Sequence, residues 1–318
     1  MSEAIWVTWE NQTRNRSLST KLGVDLYVFL SEQPRLARYI VCACKTLAVV
    51  WRKRPAVVFA QNPSIVLVYL LLLFKHLFRY LLVIDAHYVG IVAPRGRSLF
   101  QAALDFCNRH SDFVIVTNEA HRSYIESVGG RALTCEDPLP DIRRYARTVP
   151  SESRTVFLIC SFDKDEPYAC LLEATRILEN EGFVFCMSGN YKKAGISPKD
   201  WPRVQLMGYI PQSDFYERLG AAQIVVDLTD NENCLLCGAY EAMALEKPLV
   251  TSKTFSLQKY FTGGTVFVEH RPEAIADGIK RAYERRQELR RQIKDWKPRA
   301  MADNAKKIEA IRAALRLS

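Results

Sequence analysis

The chain has 318 residues, 48% apolar and 25% charged, a globular composition that excludes a disordered or low-complexity protein. The length accommodates two domains of ordinary size, each with its own core. The formal net charge is +9 and lopsided: residues 1–150 hold 19 Lys and Arg against 12 Asp and Glu, residues 151–318 hold 25 against 23. The first half therefore reads as facing an anionic partner. No nucleic-acid module shows its signature, so the expected partner is an anionic membrane surface or lipid phosphate, not nucleic acid. Nine cysteines are scattered, mostly in apolar runs where a thiol packs as a small hydrophobe. With no leader ahead of Ile5-Trp6-Val7-Thr8, the expected place is the cytoplasm, peripheral on the inner face of the cell membrane.

In chain order, the first half offers strands at Ile5–Thr8, Leu26–Phe29, Val57–Ala60, Leu81–Ile84 and Phe113–Val116. Helical patterns lie near 34–51, 64–79, 98–109 and 119–128. The longest apolar stretch, Ile65–Phe74, ends at Lys75, well short of the ~20 residues a spanning helix needs. It reads either as a buried helix between strands or as one that partly enters a membrane interface beside Trp51, Arg52, Lys53, Arg54 and Arg79.

The alternation pauses at Asp137-Pro138-Leu139-Pro140-Asp141 and a polar stretch through Ser153, which sets the expected boundary at domains 1–150 and 151–318. It then resumes with strands at Thr155–Cys160, Phe183–Met187, Val204–Met207, Ile224–Asp227, Leu249–Thr251 and Thr265–Val268. Helices are expected near 167–180, 213–221, 237–245, 272–292 and 300–316, with a bend at Pro298 where the last helix would cross back to the first domain. Short β-rich runs separated by helices predict an α/β protein of two Rossmann-like, doubly wound domains facing a cleft at the carboxyl ends of their sheets.

The most informative segment runs from Asp227 through Asn233, Cys234, Cys237-Gly238 and Glu241-Ala242-Met243-Ala244 to Pro248-Leu249-Val250. It resembles the nucleotide-sugar site of GT-B glycosyltransferases, specifically glycosyltransferase family 4 (group 1). There a Glu, seven residues, then Glu-Ala-Met-Ala and Gly-x-Pro-Val-Val recur. The resemblance gives Glu241 the ribose hydroxyls, which a carboxylate can accept from in pairs. Asn233 stands where the family has its first Glu, beside the donor sugar. Gly189 and Gly208-Tyr209-Ile210-Pro211, at successive strand ends, match loops that flank the base and diphosphate.

The chain also departs from that pattern. The family's Arg and Lys for the diphosphate fall here on Ser161 and Glu166, in Cys160-Ser161-Phe162-Asp163-Lys164-Asp165-Glu166-Pro167. Acids ahead of Pro167 also suit a plain helix start. Lys164, Asn190, Lys192, Lys193 and the amides near Cys237-Gly238 are the remaining candidates for the phosphates. Cys234 and Cys237 form a lone C-x-x-C, too little for a zinc site. No metal or other cofactor is expected.

In the first half, Trp9, Glu10, Arg14 and Arg16 form a polar, basic and aromatic loop after the first strand, suited to a sugar or an anionic acceptor. Gln61-Asn62-Pro63-Ser64, Asp85-Ala86-His87 and Thr117-Asn118-Glu119 follow at later strand ends, and the family has a comparable His near the transferred sugar. His87, Asp85 and Glu10 are the catalytic candidates; Trp9, Arg14, Arg16, Asn62 and Asn118 are the acceptor candidates. The resemblance implies retaining transfer of a sugar from a nucleoside diphosphate sugar to a lipid-linked or polysaccharide hydroxyl, in surface polysaccharide or glycolipid synthesis. A nucleotide-sugar epimerase and a non-catalytic nucleotide-sugar-binding protein are the alternatives.

Overall fold

The computed structural model describes residues 4–62, 64–93 and 98–317. It divides into two compact units, Met1–Pro138 with Ala302–Ser318, and Leu139–Met301.

In the first unit, strands β1 (Ala4–Thr8), β2 (Asp25–Val28), β3 (Val57–Asn62), β4 (Leu81–Ala86), β5 (Phe113–Val116) and β6 (Ala132–Thr134) form one parallel sheet in the order β2-β1-β3-β4-β5-β6. They alternate with α1 (Thr13–Leu22), α2 (Arg35–Lys53), α3 (Ile65–Phe78), α4 (Tyr88–Ile91), α5 (Ser98–His110) and α6 (Glu119–Ser127). Every residue of β1 and β3 is buried, as expected of a parallel sheet covered on both faces. One face packs Val58, Leu67, Leu71, Leu82 and Ile84 together. The other packs Trp6 on Phe59, ring centroids 5.1 Å apart, with Leu18 and Leu22 of α1.

The second unit repeats the plan. Strands β7 (Thr155–Ile159), β8 (Val184–Ser188), β9 (Val204–Gly208), β10 (Ile224–Asp227), β11 (Leu249–Ser252) and β12 (Thr265–Val268) lie parallel in the order β12-β11-β10-β7-β8-β9. Helices α7 (Tyr168–Ile177), α8 (Gln212–Ala221), α9 (Cys237–Ala244), α10 (Phe255–Tyr260), α11 (Pro272–Glu284) and α12 (Arg286–Leu315) connect and follow them. The chain therefore has two doubly wound parallel sheets, the α/β arrangement of GT-B proteins.

Three features differ from the sequence expectation. The division falls at Pro138 rather than at residue 150, because Ile142 and Tyr145 are buried in the second unit's core. Pro298 lies inside α12 instead of between two helices, and the interruption comes earlier, at Arg285. Residues 302–315 of α12 count with the first unit, where Ile308, Ile311 and Leu315 are buried and Lys307 Nζ reaches both Glu136 carboxylate oxygens at 2.6 Å. Finally, the segment read as a loop after β1 becomes α1 from Thr13 onward, so Arg14 and Arg16 are helical.

Candidate functional site

In the second unit, β10 delivers Asp227 to the carboxyl edge and α9 begins ten residues later at Cys237. Asp227 is buried, and its Oδ2 has no hydrogen-bond partner among the described residues. A Cβ on Gly238 would stand 2.5 Å from that oxygen and 2.6 Å from Ile159 Cδ1, so only glycine lets α9 start against this carboxyl. Burial, reinforced by Glu166 and Glu241, holds the Asp227 carboxyl well above the usual aspartate range. One turn into α9, Glu241 is half-buried, and the Tyr216 hydroxyl donates to its Oε1 at 3.2 Å. Burial pushes the Glu241 carboxyl from 4.5 up to about 7, with the Tyr216 bond opposing. The α9 helix closes in a Schellman motif: Lys247 N donates to Ala242 O at 2.9 Å and Glu246 N to Met243 O at 3.1 Å. Glu246 holds φ +58° where the resembled family has glycine.

The loop before α9 is tied down from outside. Asn233 N donates to Asn231 Oδ1 at 3.1 Å, and Phe255 N donates to Glu232 Oε2 at 3.0 Å. His270 Nδ1 lies 2.7 Å from Asp230 Oδ1, its Nε2 lies 2.8 Å from Ser252 Oγ, and Thr229 N donates to that oxygen at 2.8 Å. These three side chains come from three separate strand ends, and no sequence spacing announces them. Ser252 is fully buried, so the group fastens the loop and offers no nucleophile.

The loop after β7 is folded around Glu166. Ser161 N donates to Glu166 Oε2 at 2.9 Å, Asp163 N to the same oxygen at 3.1 Å, and Ser161 Oγ to Oε1 at 2.8 Å. Cys160 Sγ adds a contact of 3.1 Å. Phe162, at φ +61°, turns the two amides toward one point. Gly189 allows β8 to end against this loop, since a Cβ there would overlap Cys160 O at 1.9 Å. Ser161 is therefore engaged with Glu166, and Lys193 is ion-paired with Asp163. Lys164, Lys192 and Asn190 are exposed, as are Cys237 and, at 92%, Tyr209 beyond Gly208.

In the first unit the predicted residues fall at the carboxyl edge with altered roles. Arg14 is not available to an anionic acceptor: it is buried, with Nη2 2.8 Å and Nε 3.0 Å from Asp85 Oδ1 and a further ion pair to Asp137. Burial works against its charge, yet Asp85 and Asp137 carry its pKa well above the usual arginine value. Asp85 is completely buried in that pair, which removes it as a free base. Asn62 is also fully buried, donating to Gly90 O at 3.0 Å, so it lies too deep for an acceptor; its neighbour Pro63 lies outside the described residues. Asn118 caps α6 by accepting from His121 N at 2.9 Å. Trp9 donates to Thr46 Oγ1 at 3.0 Å, and the exposed Arg16 donates to Asn11 Oδ1 at 2.9 Å.

His87 and Glu10 remain accessible in part. The His87 side chain is 26% exposed, and its Nε2 lies 3.6 Å from Asp85 Oδ2 without a hydrogen bond. Glu10 Oε2 accepts from Gln12 at 2.9 Å and from Gln61 at 3.4 Å. Gln61 in turn accepts from Thr8 Oγ1 at 2.6 Å. Among the described residues, no group of three or more His, Cys, Asp or Glu side chains is arranged to hold a metal ion.

Residues 144–299 match the family described as glycosyl transferases group 1. No curated protein sequence matches the chain. Among solved structures, the chain is similar to Anabaena Alr3699/HepE in complex with UDP-glucose, at 15% identity and TM-score 0.71, over 98% of both chains. It is similar to the sucrose-phosphate synthase tll1590 of Thermosynechococcus elongatus, at 14% identity and TM-score 0.70, over 99% of this chain and 96% of that one. A third is a mutant of S. aureus TarM in complex with Fondaparinux, alpha-GlcNAc-glycerol and UDP, at 15% identity and TM-score 0.64, over 88% of this chain and 59% of that one.

Proposed function

We propose that this chain, whose residues 144–299 match the glycosyl transferases group 1 family, is a glycosyltransferase whose donor is a nucleoside diphosphate sugar held at the carboxyl edge of the second sheet. The observation that carries this is Glu241, a half-buried carboxyl one turn into α9, partnered by Tyr216. A half-buried carboxylate with a second lone-pair-bearing oxygen is suited to accept from two vicinal hydroxyls, as a ribose presents. The structures that bind UDP and UDP-glucose in the same fold support the nucleotide class.

The acceptor is a carbohydrate or lipid-linked hydroxyl, met on the first unit by His87, Glu10, Trp9 and Arg16. Transfer proceeds with retention: the acceptor oxygen bonds to the anomeric carbon as the bond to the leaving phosphate oxygen breaks. The hydroxyl proton passes to that phosphate, so no separate base is required. Surface polysaccharide or glycolipid synthesis is the setting this chemistry fits.

The first unit binds an anionic membrane surface from outside. Helices α2 and α3 carry no Asp or Glu, while α2 carries Arg35, Arg38, Lys45, Arg52 and Lys53. On the same helices Leu36, Ile40, Trp51, Leu73 and Leu77 are each more than half exposed. No helix among the described residues is long and apolar enough to cross a bilayer.

Nucleoside diphosphates should raise the melting temperature, since a ligand of the folded state stabilises it. Release of free nucleotide should depend on an added acceptor. The donor reading falls if no nucleoside diphosphate or its sugar shifts the melting temperature.

A further inference from the structure

We infer that Glu166 is an internal anion that occupies a phosphate cradle and sets how much the donor's phosphate charge contributes to binding. The inference rests on the nucleoside diphosphate reading above and concerns one residue of that site. Successive backbone amides turned toward one point form a concavity that binds anions, and a residue at positive φ between them is the usual way to build it. Here the residue is Phe162, and the converging amides belong to Ser161 and Asp163. The Ser161 hydroxyl, which also lies 3.0 Å from Asp163 Oδ2, and the Cys160 thiol complete four donors that reach one carboxylate.

The cradle lies at a strand end facing a second carboxyl. Asp227 is buried with Oδ2 unpartnered among the described residues, and Glu166 acts on it electrostatically. Of the cations near this loop, Lys193 is already paired with Asp163, and Lys164 and Lys192 are exposed and make none of the bonds to Glu166. A phosphate entering here must displace Glu166 and face Asp163 and Asp227, with no arginine or lysine among the four donors to offset them. A nucleoside diphosphate therefore gains little from its second phosphate in the wild-type protein. The base and ribose supply the affinity, and freeing the cradle restores the phosphate contribution.

The test compares binding of a nucleoside monophosphate and the matching diphosphate to wild type, Glu166→Gln and Glu166→Asp by calorimetry. Wild type should bind the two within about threefold of each other. Hydrogen bonds to a charged group are the strong ones, and Glu166→Gln releases them to a phosphate. That variant should tighten the diphosphate by about tenfold or more and the monophosphate much less. Glu166→Asp keeps the charge but withdraws it by one methylene, so it should tighten the diphosphate by a smaller factor. It also covers the case in which the Gln variant does not fold. Diphosphate affinity unchanged or weakened in the folded variants, with monophosphate binding intact, overturns the role of Glu166 alone. Absence of binding by either nucleotide to every protein overturns the donor reading and this inference together.

Discussion

The Tyr216 hydroxyl donates to Glu241 Oε1 at 3.2 Å inside the second unit, where burial raises the Glu241 carboxyl to about 7. A carboxyl raised from 4.5 to about 7 binds its proton more tightly folded than unfolded. Its stabilising contribution is complete below pH 4.5, declines as the pH rises through the interval, and is gone above about 7. At 1.36 kcal/mol per pKa unit, the loss is about 3 kcal/mol. Glu241→Gln should remove this slope, which thermal unfolding from pH 4.5 to 8 would reveal. A constant gap between wild type and variant across that window contradicts the assignment. Nucleotide affinity that uses the ionised form should strengthen as pH rises through about 7 in wild type and not in the variant.

The buried Arg14–Asp85 pair makes a second, structural prediction. Removing one member of a buried ion pair leaves the other uncompensated and costs about 3–5 kcal/mol. Arg14→Ala should destabilise the first unit by that amount, and Arg14→Met with Asp85→Leu should recover much of it. A denaturant midpoint for Arg14→Ala near that of wild type would show the pair to be dispensable.

These two sites show what the sequence could and could not convey. The strands were legible because parallel strands buried on both faces are continuous apolar runs, as in Val57-Val58-Phe59-Ala60. The place of Glu241, on a helix after β10, was legible through the segment around it. Helix α1 was not: Thr-Arg-Asn-Arg-Ser-Leu-Ser-Thr carries little apolar period, and what anchors it is Leu18, Leu22 and an arginine whose partners are 71 and 123 residues away. Pro298 reads as a helix boundary in the sequence because the anchoring of α12 on either side of it, through Ile293 and Trp296 and then Ile308 and Ile311, is tertiary. The role of Glu166 needed the backbone angle of Phe162, and the Asp230–His270–Ser252 fastening needed three strand ends in register.

Glu246 closes α9 at φ +58°, a conformation that costs a residue with a Cβ roughly 1–2 kcal/mol. Its partly exposed contact with Lys297, at 3.4 Å, returns little of that, and Lys297 keeps its 2.7 Å bond to Ala244 O. Glu246→Gly should therefore stabilise the protein by about 1 kcal/mol. A lower melting temperature for the variant would mean that the Lys297 contact outweighs backbone strain.

His87 sits directly after β4, partly exposed, with Nε2 unpartnered among the described residues and 3.6 Å from Asp85. A partly exposed ring beside a buried carboxylate can take up a substrate hydroxyl or a developing charge. His87→Ala should leave nucleotide affinity within a few-fold and lower turnover by about tenfold or more, the pattern of a lost transition-state contact. If affinity collapses while turnover at saturation is intact, His87 serves the donor instead.

The face formed by α2 and α3 gives the final prediction. Both helices lack carboxylates, and α2 alone brings five Arg and Lys. Leu36 is 79% exposed, Ile40 65% and Trp51 61%, at spacings of four and eleven residues that place them on one stripe of α2. An apolar stripe bordered by cations is the arrangement that enters a lipid interface, apolar atoms below the headgroups and charges among them. Each basic residue near an anionic leaflet contributes about 1 kcal/mol, screened over a Debye length of about 8 Å at physiological salt. Co-sedimentation with anionic vesicles should therefore fall steeply as salt rises, while neutral vesicles retain little protein. Changing Leu36, Ile40 and Trp51 together to Ser should weaken binding further at every salt concentration, because it removes the part salt does not screen. Circular dichroism of that variant checks that α2 remains folded. Equal binding to neutral vesicles, or an unchanged isotherm for the folded triple variant, would remove this face as the membrane contact.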